Sequence, residues 1–333
     1  MKAKMINTVH LEGLLYEHEL VMKTSGENSK APGTEFISGT LKVATDNAMT
    51  NIVEVHYTYV TEKTSKGSPN ATFANLKAII DGTAMCYVPN KAKDTYVPSF
   101  VRIDTAIGLN DFYSENNGQV ELVSARRNEG GFLHFIRENE LAPEVDEYGN
   151  FPRNKFEADM IVTNVRRIDA DEEKDQPEKM VLKGVIFDFR RGILPVEFVI
   201  YNPQGMELFE SQEPSPSNPF CTKVNGTQIS QVTVIRREEP SAFGPAIVKE
   251  YPRTRKEFEV ISIFNQVSYP WDDSSFVTAD ELSKAVSDRE TYLATVKQRY
   301  DEYQAKRGSG NATSASAPAS QTTVQAKAGG FNF

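Results

Sequence analysis

Cysteine is almost absent from this chain of 333 residues, and the two that occur, Cys86 and Cys221, lie far apart. That spacing excludes a disulfide framework and fits a reducing cytoplasm, the expected location. The histidines, His10, His18, His56 and His134, have no metal-ligand spacing, and no C-x-x-C occurs, so zinc is not expected. No other metal or cofactor is implied. No apolar run reaches the roughly 18 residues of a membrane span. Met1-Lys2-Ala3-Lys4 leads into a strand-like stretch rather than the apolar block of a secretory signal. Catalytic signatures are missing too: G-x-S-x-G, Walker A and H-E-x-x-H do not occur. Carboxylate pairs such as Asp272-Asp273 are of the kind found in solvated turns. The chain is therefore expected not to be an enzyme.

An excess of positive charge is also lacking. The net charge is −9, and Lys+Arg against Asp+Glu is 14 to 20 over residues 1–150 but 16 to 18 over 151–270. The acids concentrate in apparent loops, Glu138–Glu147 and Asp169–Glu178, and the arginines at strand ends. A basic footprint is the usual mark of a nucleic-acid binder; here only a locally basic groove on an acidic protein is compatible with the counts.

What is present is alternation. From Thr34 the chain reads T-E-F-I-S-G-T-L-K-V-A-T-D, turns through D-N-A-M-T-N, and continues I-V-E-V-H-Y-T-Y. Ile37, Leu41 and Val43 share one parity and Phe36, Ser38, Thr40 and Lys42 the other, the pattern of a strand with one buried and one wet face. Val53 and Val55 repeat it against Glu54, His56 and Thr58, which makes a hairpin. Met180–Tyr201 has a related pattern, turning at Arg190-Arg191-Gly192. Both copies carry a glycine in the first strand (Gly39, Gly184) and a V-E-apolar run in the second, Val53-Glu54-Val55 and Val196-Glu197-Phe198. One small β-module thus looks to be used twice.

Around the first hairpin lie a strand with an interior Gly13, an amphipathic helix over Thr72–Gly82 with a Thr cap, and strands over Phe100–Ile107 and Gln119–Arg126. Strand, strand, strand, helix, strand, strand is the order of the oligonucleotide-binding (OB) fold, a five-stranded Greek-key barrel. Phe156–Ile168, the second hairpin, a vestigial helix at Gly205–Phe209, Phe220–Arg236 and Glu257–Phe264 repeat it. The expected architecture is mainly β, with two tandem OB barrels over 1–137 and 153–270 and a linker at 138–152. A C-terminal helix over 271–307 begins with a Thr278/Glu281 capping box, and a Ser/Ala/Thr/Gln-rich tail, 308–333, is expected to be disordered.

N-T-V-H-L-E-G-L-L followed by I-S-G-T-L-K-V-A-T resembles the first two strands of bacterial and phage single-stranded DNA-binding proteins. Asn225-Gly226-Thr227-Gln228-Ile229 resembles their fourth-strand pattern. The resemblance implies coating of unpaired DNA in replication, recombination or repair, with a tail tip that recruits partner proteins. Two departures stand out: the chain carries two modules, and residues 308–333 contain no acid. RNA binding and a structural, protein-binding role remain as alternatives, and oligomeric state is open.

Single-strand binding needs cations along the phosphates and flat rings on which bases stack. The candidates in the first module are Phe36, Lys42, His56, Tyr59, Lys63, Lys66, Arg126 and Arg127. Tyr57 and Tyr59 continue the buried parity of Val53 and Val55, so a core position is the competing reading for both. In the second module Lys183, Phe187 and Phe189 share a face opposite Leu182 and Ile186, and Arg190 and Arg191 crown the turn. Arg166, Arg167, Arg236 and Arg237 are further strand-end candidates, and Phe331 and Phe333 are candidate partner-binding residues of the tail.

Overall fold

A computed structural model describes residues 5–27, 29–89, 96–116, 118–171, 176–239, 243, 247–268, 271 and 276–308. The expected tail beyond 308, with Phe331 and Phe333, lies outside the described residues. The strands are β1 (Asn7–His18), β2 (Val21–Thr24), β3 (Glu35–Ala44), β4 (Ile52–Thr61), β5 (Phe100–Asn116), β6 (Gln119–Ile136), β7 (Asn154–Ile168), β8 (Lys179–Phe187), β9 (Ile193–Ile200), β10 (Phe220–Glu239) and β11 (Ile247–Ser268). The helices are α1 (Ala71–Ile80), α2 (Pro203–Ser211) and α3 (Ala279–Gly308). The protein is mainly β.

Two closed circuits of strands form. In the first, β1 pairs with β3 and β5, β3 with β4, and β5 with β6, all antiparallel. Parallel pairing of β4 with β6, at Val55↔Asn128 and His56↔Glu129, closes it. In the second, β7, β8, β9, β11 and β10 repeat this order, with the parallel closure at Val199↔Glu259. A helix between the third and fourth strands and one parallel closure define the OB barrel, so both modules have that topology.

The barrels are joined edge to edge by antiparallel pairing of β1 with β7. Leu15↔Val43 and Val162↔Gly184 are each the last pair before the same one-residue slip, so Leu15 corresponds to Val162 and Asn7 to Asn154. With that correspondence the β1–β7 register is its own mirror. Val9↔Phe156 is the centre, and Asn7↔Ala158 and Leu11↔Asn154 exchange places across it. The chain is an approximate two-fold dimer of barrels within one polypeptide.

The two asparagines perform the same task. Asn7 Oδ1 accepts from Ile107 N (3.0 Å) while its Nδ2 donates to Ile107 O (2.9 Å) and Phe187 O (3.1 Å). Asn154 Oδ1 accepts from Gln228 N (3.3 Å) and its Nδ2 donates to Gln228 O (2.6 Å). Asn51 Nδ2 also donates to Gln228 O, and Gln228 and Asn128 exchange side-chain amide bonds. Each amide replaces a ladder partner for a backbone pair that would otherwise be stranded.

The registers correct the proposed match of Gly39 with Gly184. Gly184 occupies the position of Val43, and its function is that of Gly13. A Cβ on Gly13 would meet Ala44 O at 2.0 Å, with Val43 Cγ1 at 3.0 Å; on Gly184 it would meet Ile161 O at 2.0 Å, with Met160 Cε at 2.9 Å. Strands one and two cross closely in each barrel, and the glycine that permits it sits on β1 in one and β8 in the other. The V-E-apolar correspondence holds: Lys42↔Glu54 and Lys183↔Glu197 are equivalent pairs.

Helix α1 is capped by Asn70 rather than Thr72: Asn70 Oδ1 accepts from Thr72 N at 3.1 Å. Gly82, at φ +72°, follows its end. The vestigial helix is a full α2, with Asn202 Oδ1 accepting from Gly205 N. The Thr278/Glu281 capping box forms, with Thr278 N to Glu281 Oε2 at 2.9 Å and Glu281 N to Thr278 Oγ1 at 3.2 Å. Residues 138–152 are laced to the first barrel by Ala142 N donating to Glu12 (2.8 Å) and Asn47 N donating to Glu144 (3.0 Å). The strand pairs β5–β6 and β10–β11 run well past the expected ends and form two arms beyond the barrels.

Asn154→Ala would leave the backbone N–H of Gln228 without its partner in a buried setting. We expect a loss of about 1–3 kcal/mol, read by urea unfolding, and a loss at least as large for Asn154→Asp, whose carboxylate has no N–H for Gln228 O. A loss below the error of the measurement would remove the amide clamps from the account of the barrel junction.

Candidate nucleic-acid interface

The outer surface of β3 and β4 carries a pair of rings. Phe36 and Tyr59 lie 4.5 Å apart between centroids at 37°, and the Tyr59 hydroxyl is 3.2 Å from Ser25 Oγ. By parity Tyr59 belongs in the core with Tyr57, yet Tyr57 is 2% exposed and Tyr59 50%. The cause is a bulge. Ile37 pairs with Val60 and Gly39 with Tyr57, so Thr58 and Tyr59 together oppose Ser38. The extra residue reverses the parity of β4 and turns Tyr59 outward; Gly39, at φ +135°, lies beside it.

Cations flank the rings. Lys23 on β2 pairs in register with Phe36, which pairs on its other side with Thr61. Lys63 bridges to Pro69 in the loop that follows, and Lys66 is exposed within it. Glu35 and Glu62 are exposed nearby and moderate the charge.

Further along the same face the candidates are engaged. Lys42 Nζ contacts Glu17 at 2.6 Å, and that bond holds its pKa above the ordinary lysine value. His56 Nδ1 lies 3.1 Å from Thr40 Oγ1; burial, then the nearby Arg127, push its pKa below the usual histidine value. Arg127 is paired with Glu129. Arg126 crosses to the second barrel, where it donates to Glu197 O and stacks its guanidinium 4.2 Å from the Phe258 centroid. Burial lowers its pKa to about 10. Its two-fold counterpart Lys256 reaches back to Glu54 at 3.3 Å. These two are rivets between the barrels.

In the second barrel the equivalent face is covered at its turn end. Phe187, expected on a wet face, is 1% exposed. With Ile161, Val185, Ile193 and Cys221 it packs under Phe276, Val277, Leu282, Ala285 and Val286; its ring meets Phe276 edge-on at 6.4 Å. Both sides of β8 are therefore interior at this end, one facing the barrel core and one facing α3. Lys183 is paired with Glu197 at 2.8 Å. At the turn Phe189 is 80% exposed with the Arg190 guanidinium 5.0 Å over its ring. Asp188 accepts from Arg190 N and Gly192 N. Arg191, at φ +66°, pairs with Glu281 on α3 at 2.9 Å.

Arg166 is exposed, while Arg167 is held by Glu178 (2.7 Å) and Glu210 (3.3 Å). Arg236 and Arg237 lie on β10 opposite Glu250 and Lys249, and their side chains are outside the described residues. The structure thus brings Phe36 and Tyr59 together, adds Lys23 in register beside Phe36, leaves Lys63 and Lys66 in the loop that follows β4, and separates Phe189 and Arg190 from them on the other barrel. The sequence offered no signal for Lys23 except its place before the loop. Among the described residues no group of three His, Cys, Asp or Glu is placed to hold a metal, and no helix is long and apolar enough to cross a membrane.

The YorF family model matches residues 6–299, which spans both barrels and most of α3. The chain belongs to the YorF family. No curated protein sequence matches it. Among solved structures, a deletion variant of the single-stranded DNA-binding protein from Thermus aquaticus is similar to this YorF-family chain. Its TM-score is 0.42 at 9% identity, covering 78% of this chain and 94% of that one.

A histidine with a lowered folded-state pKa excludes a proton on folding. Its contribution to stability is complete above the unfolded value and declines as pH falls through the folded one. His18, lowered by burial against an opposing Glu17, acts in the same sense as His56. Replacing His56 with Gln should flatten the fall in melting temperature between neutral pH and about pH 5. Parallel melting curves for the two proteins would show that His56 gains no proton on unfolding.

Proposed function

We propose that the chain binds single-stranded DNA along the outer face of β3 and β4, and coats and protects it in replication or recombination without catalysing a reaction. The observation that carries this reading is the Phe36–Tyr59 ring pair, turned outward by a bulge and flanked by Lys23, with Lys63 and Lys66 in the exposed loop that follows β4. Stacking on an exposed ring contributes about 1–3 kcal/mol per base and is indifferent to sequence. The strand-two and strand-three face of an OB barrel, with the loops beside it, is where that fold offers a groove to oligonucleotides. No excess of charge is required where rings supply the main term, which is consistent with a net charge of −9. The resemblance of β1 and β3 to single-stranded DNA-binding proteins points the same way, as does a chain suited to the cytoplasm.

A second reading, protein binding, is favoured by one feature. Several of the candidate cations are already neutralised by carboxylates: Lys42, Arg127, Arg167, Lys183 and Arg191 each have an acidic partner.

The two readings part on an oligo-dT titration followed by intrinsic tyrosine fluorescence, with excess duplex as competitor. Single-strand binding predicts saturation that duplex does not displace, and a log–log salt slope of about −0.7 per neutralised phosphate. Phe36→Ala and Tyr59→Ala should each weaken binding by roughly 1–3 kcal/mol. Phe187→Ala should lower stability and leave affinity nearly unchanged. Equal displacement by duplex, or ring variants that bind like the parent, would transfer the case to protein binding; tighter binding of oligo-U would transfer it to RNA.

A further inference from the structure

A groove of about 310 Å³ lies on the second barrel, where the turn before β7 meets the outer surface of β10 and β11. Its two aromatic walls come from different elements. Phe151 follows a self-contained turn: Asp146 N donates to Asn150 O at 2.9 Å, Gly149 stands at φ +80°, and Phe151 O accepts from Asn154 N at 3.0 Å. Phe264 stands on β11 opposite Lys223, just before Asn265 at φ +53°, and its carbonyl accepts from Thr222 Oγ1 at 3.1 Å. Both backbones are held while the rings stay in reach of solvent, Phe151 36% and Phe264 52% exposed. Clefts that take small ligands have volumes of about 300–1,000 Å³ and set a few polar groups among apolar walls.

The charged groups of the groove are already in use. Asp146 accepts from Tyr148 N at 2.9 Å, from Asn150 N at 2.8 Å and from Asn150 Nδ2 at 2.9 Å. Lys155 is paired with Glu157, which also holds Lys223 at 3.4 Å. The polar group left over is an amide. Asn225 Nδ2 makes one long bond, 3.4 Å to Ser262 Oγ, and among the described residues its Oδ1 accepts none. An amide edge, with donor and acceptor side by side, matches a ring edge that carries a C=O next to an N–H. Two rings, one amide and no unpaired cation select a flat, uncharged, hydrogen-bonding ring. The first barrel differs at this place. By the two-fold, Asn225 corresponds to Asp104, whose carboxylate lies 2.7 Å from His10 Nδ1, so the same position there is charged and occupied.

We infer that this groove takes one unpaired base of the strand that the β3–β4 rings bind, the base lying against Phe151 or Phe264 with its edge on Asn225 and its phosphates in solvent. The inference rests on the single-strand reading and adds to it a second stacking point on the other barrel. Because no phosphate is neutralised there, that point contributes affinity without salt dependence.

Oligo-dT with one iodouracil base, irradiated on the full chain and mapped by mass spectrometry, tests this. Cross-links are expected at Phe36 or Tyr59 and, separately, at Phe151 or Phe264. Phe264→Ala should weaken binding of a long oligo-dT roughly tenfold, with the salt slope and melting temperature of the parent, and Asn225→Ala should weaken it less. Cross-links confined to β3 and β4, with Phe264→Ala binding like the parent, would overturn the groove and leave the single-strand reading standing. A Phe264→Ala chain that melts at lower temperature yet binds like the parent would show the ring packed under another segment of the chain, and would overturn it as well. A parent chain that does not bind oligo-dT would remove both readings together.

Discussion

The pairing of β1 with β7 is the interaction on which the rest of the structure depends. Each barrel spends its first strand twice, once inside its own circuit and once against the other barrel, and Val9↔Phe156 is the point where the two cores run together. Phe156 then meets Phe198 at a tilt and Phe258 edge-on inside the second barrel. A strand shared in this way leaves some backbone groups beyond the reach of the ladder, and Asn7 and Asn154 answer that need at matching positions. A buried unmade backbone bond costs more than a made one contributes, so the asparagines are constraints on how the barrels can sit rather than additions to an existing interface.

Two-fold symmetry sets the frame and then the copies diverge. The close crossing of the first two strands is kept, but its glycine has moved from β1 to β8. The rivets are kept in place and changed in type: Arg126 reaches a carbonyl and an aromatic ring, Lys256 a carboxylate. The greatest divergence is α3. Its apolar side lies over Val185, Phe187 and Ile193 of one barrel, and its Arg289 reaches Asp111 on the arm of the other. One helix thereby straps both barrels and removes the turn end of the second hairpin's outer face from solvent. The duplicated module keeps its hairpin face open in one copy and partly covered in the other.

Much of this was legible in the sequence, and the failures have physical causes. The barrel order could be read because alternation of Leu41, Val43, Val53 and Val55 against polar neighbours is a direct record of one buried face. The capping box at Thr278 was equally local. For Tyr59, a binding candidate, the competing core position came from parity counting, which assumes a regular ladder; the bulge opposite Ser38 is marked in the residue types only by Gly39. Phe187 was misplaced for another reason: a strand covered on both sides reads as apolar on both parities, and the cover, α3, lies about ninety residues away in sequence. The last strand was cut short because Arg253 to Lys256 are polar on both faces, so hydrophobic pattern gives it no boundary there. Arg126 looked like a free strand-end cation, since nothing in its neighbours announces a carbonyl and a phenyl ring across a barrel junction.

The pairing of the cations bears on how such a surface would work. A lysine already bonded to a glutamate must give up that bond to take a phosphate, and exchange of one exposed anion for another changes the free energy little, because exposed pairs are worth about 0–1 kcal/mol to begin with. Lys42 and Glu17 at 2.6 Å are such a pair. The favourable balance must then come from groups with no partner to lose. On the first barrel those are the outward faces of Phe36 and Tyr59, whose rings lie tilted against each other and whose surfaces water solvates poorly. Carboxylates close to the lysines also repel a duplex more than a single strand, since the duplex brings about twice the phosphate charge per unit length. The same acids that weaken the cations would therefore sharpen the choice of an unpaired strand, and under the proposed function the acidic balance of the chain would be part of the selectivity of a ring-led surface.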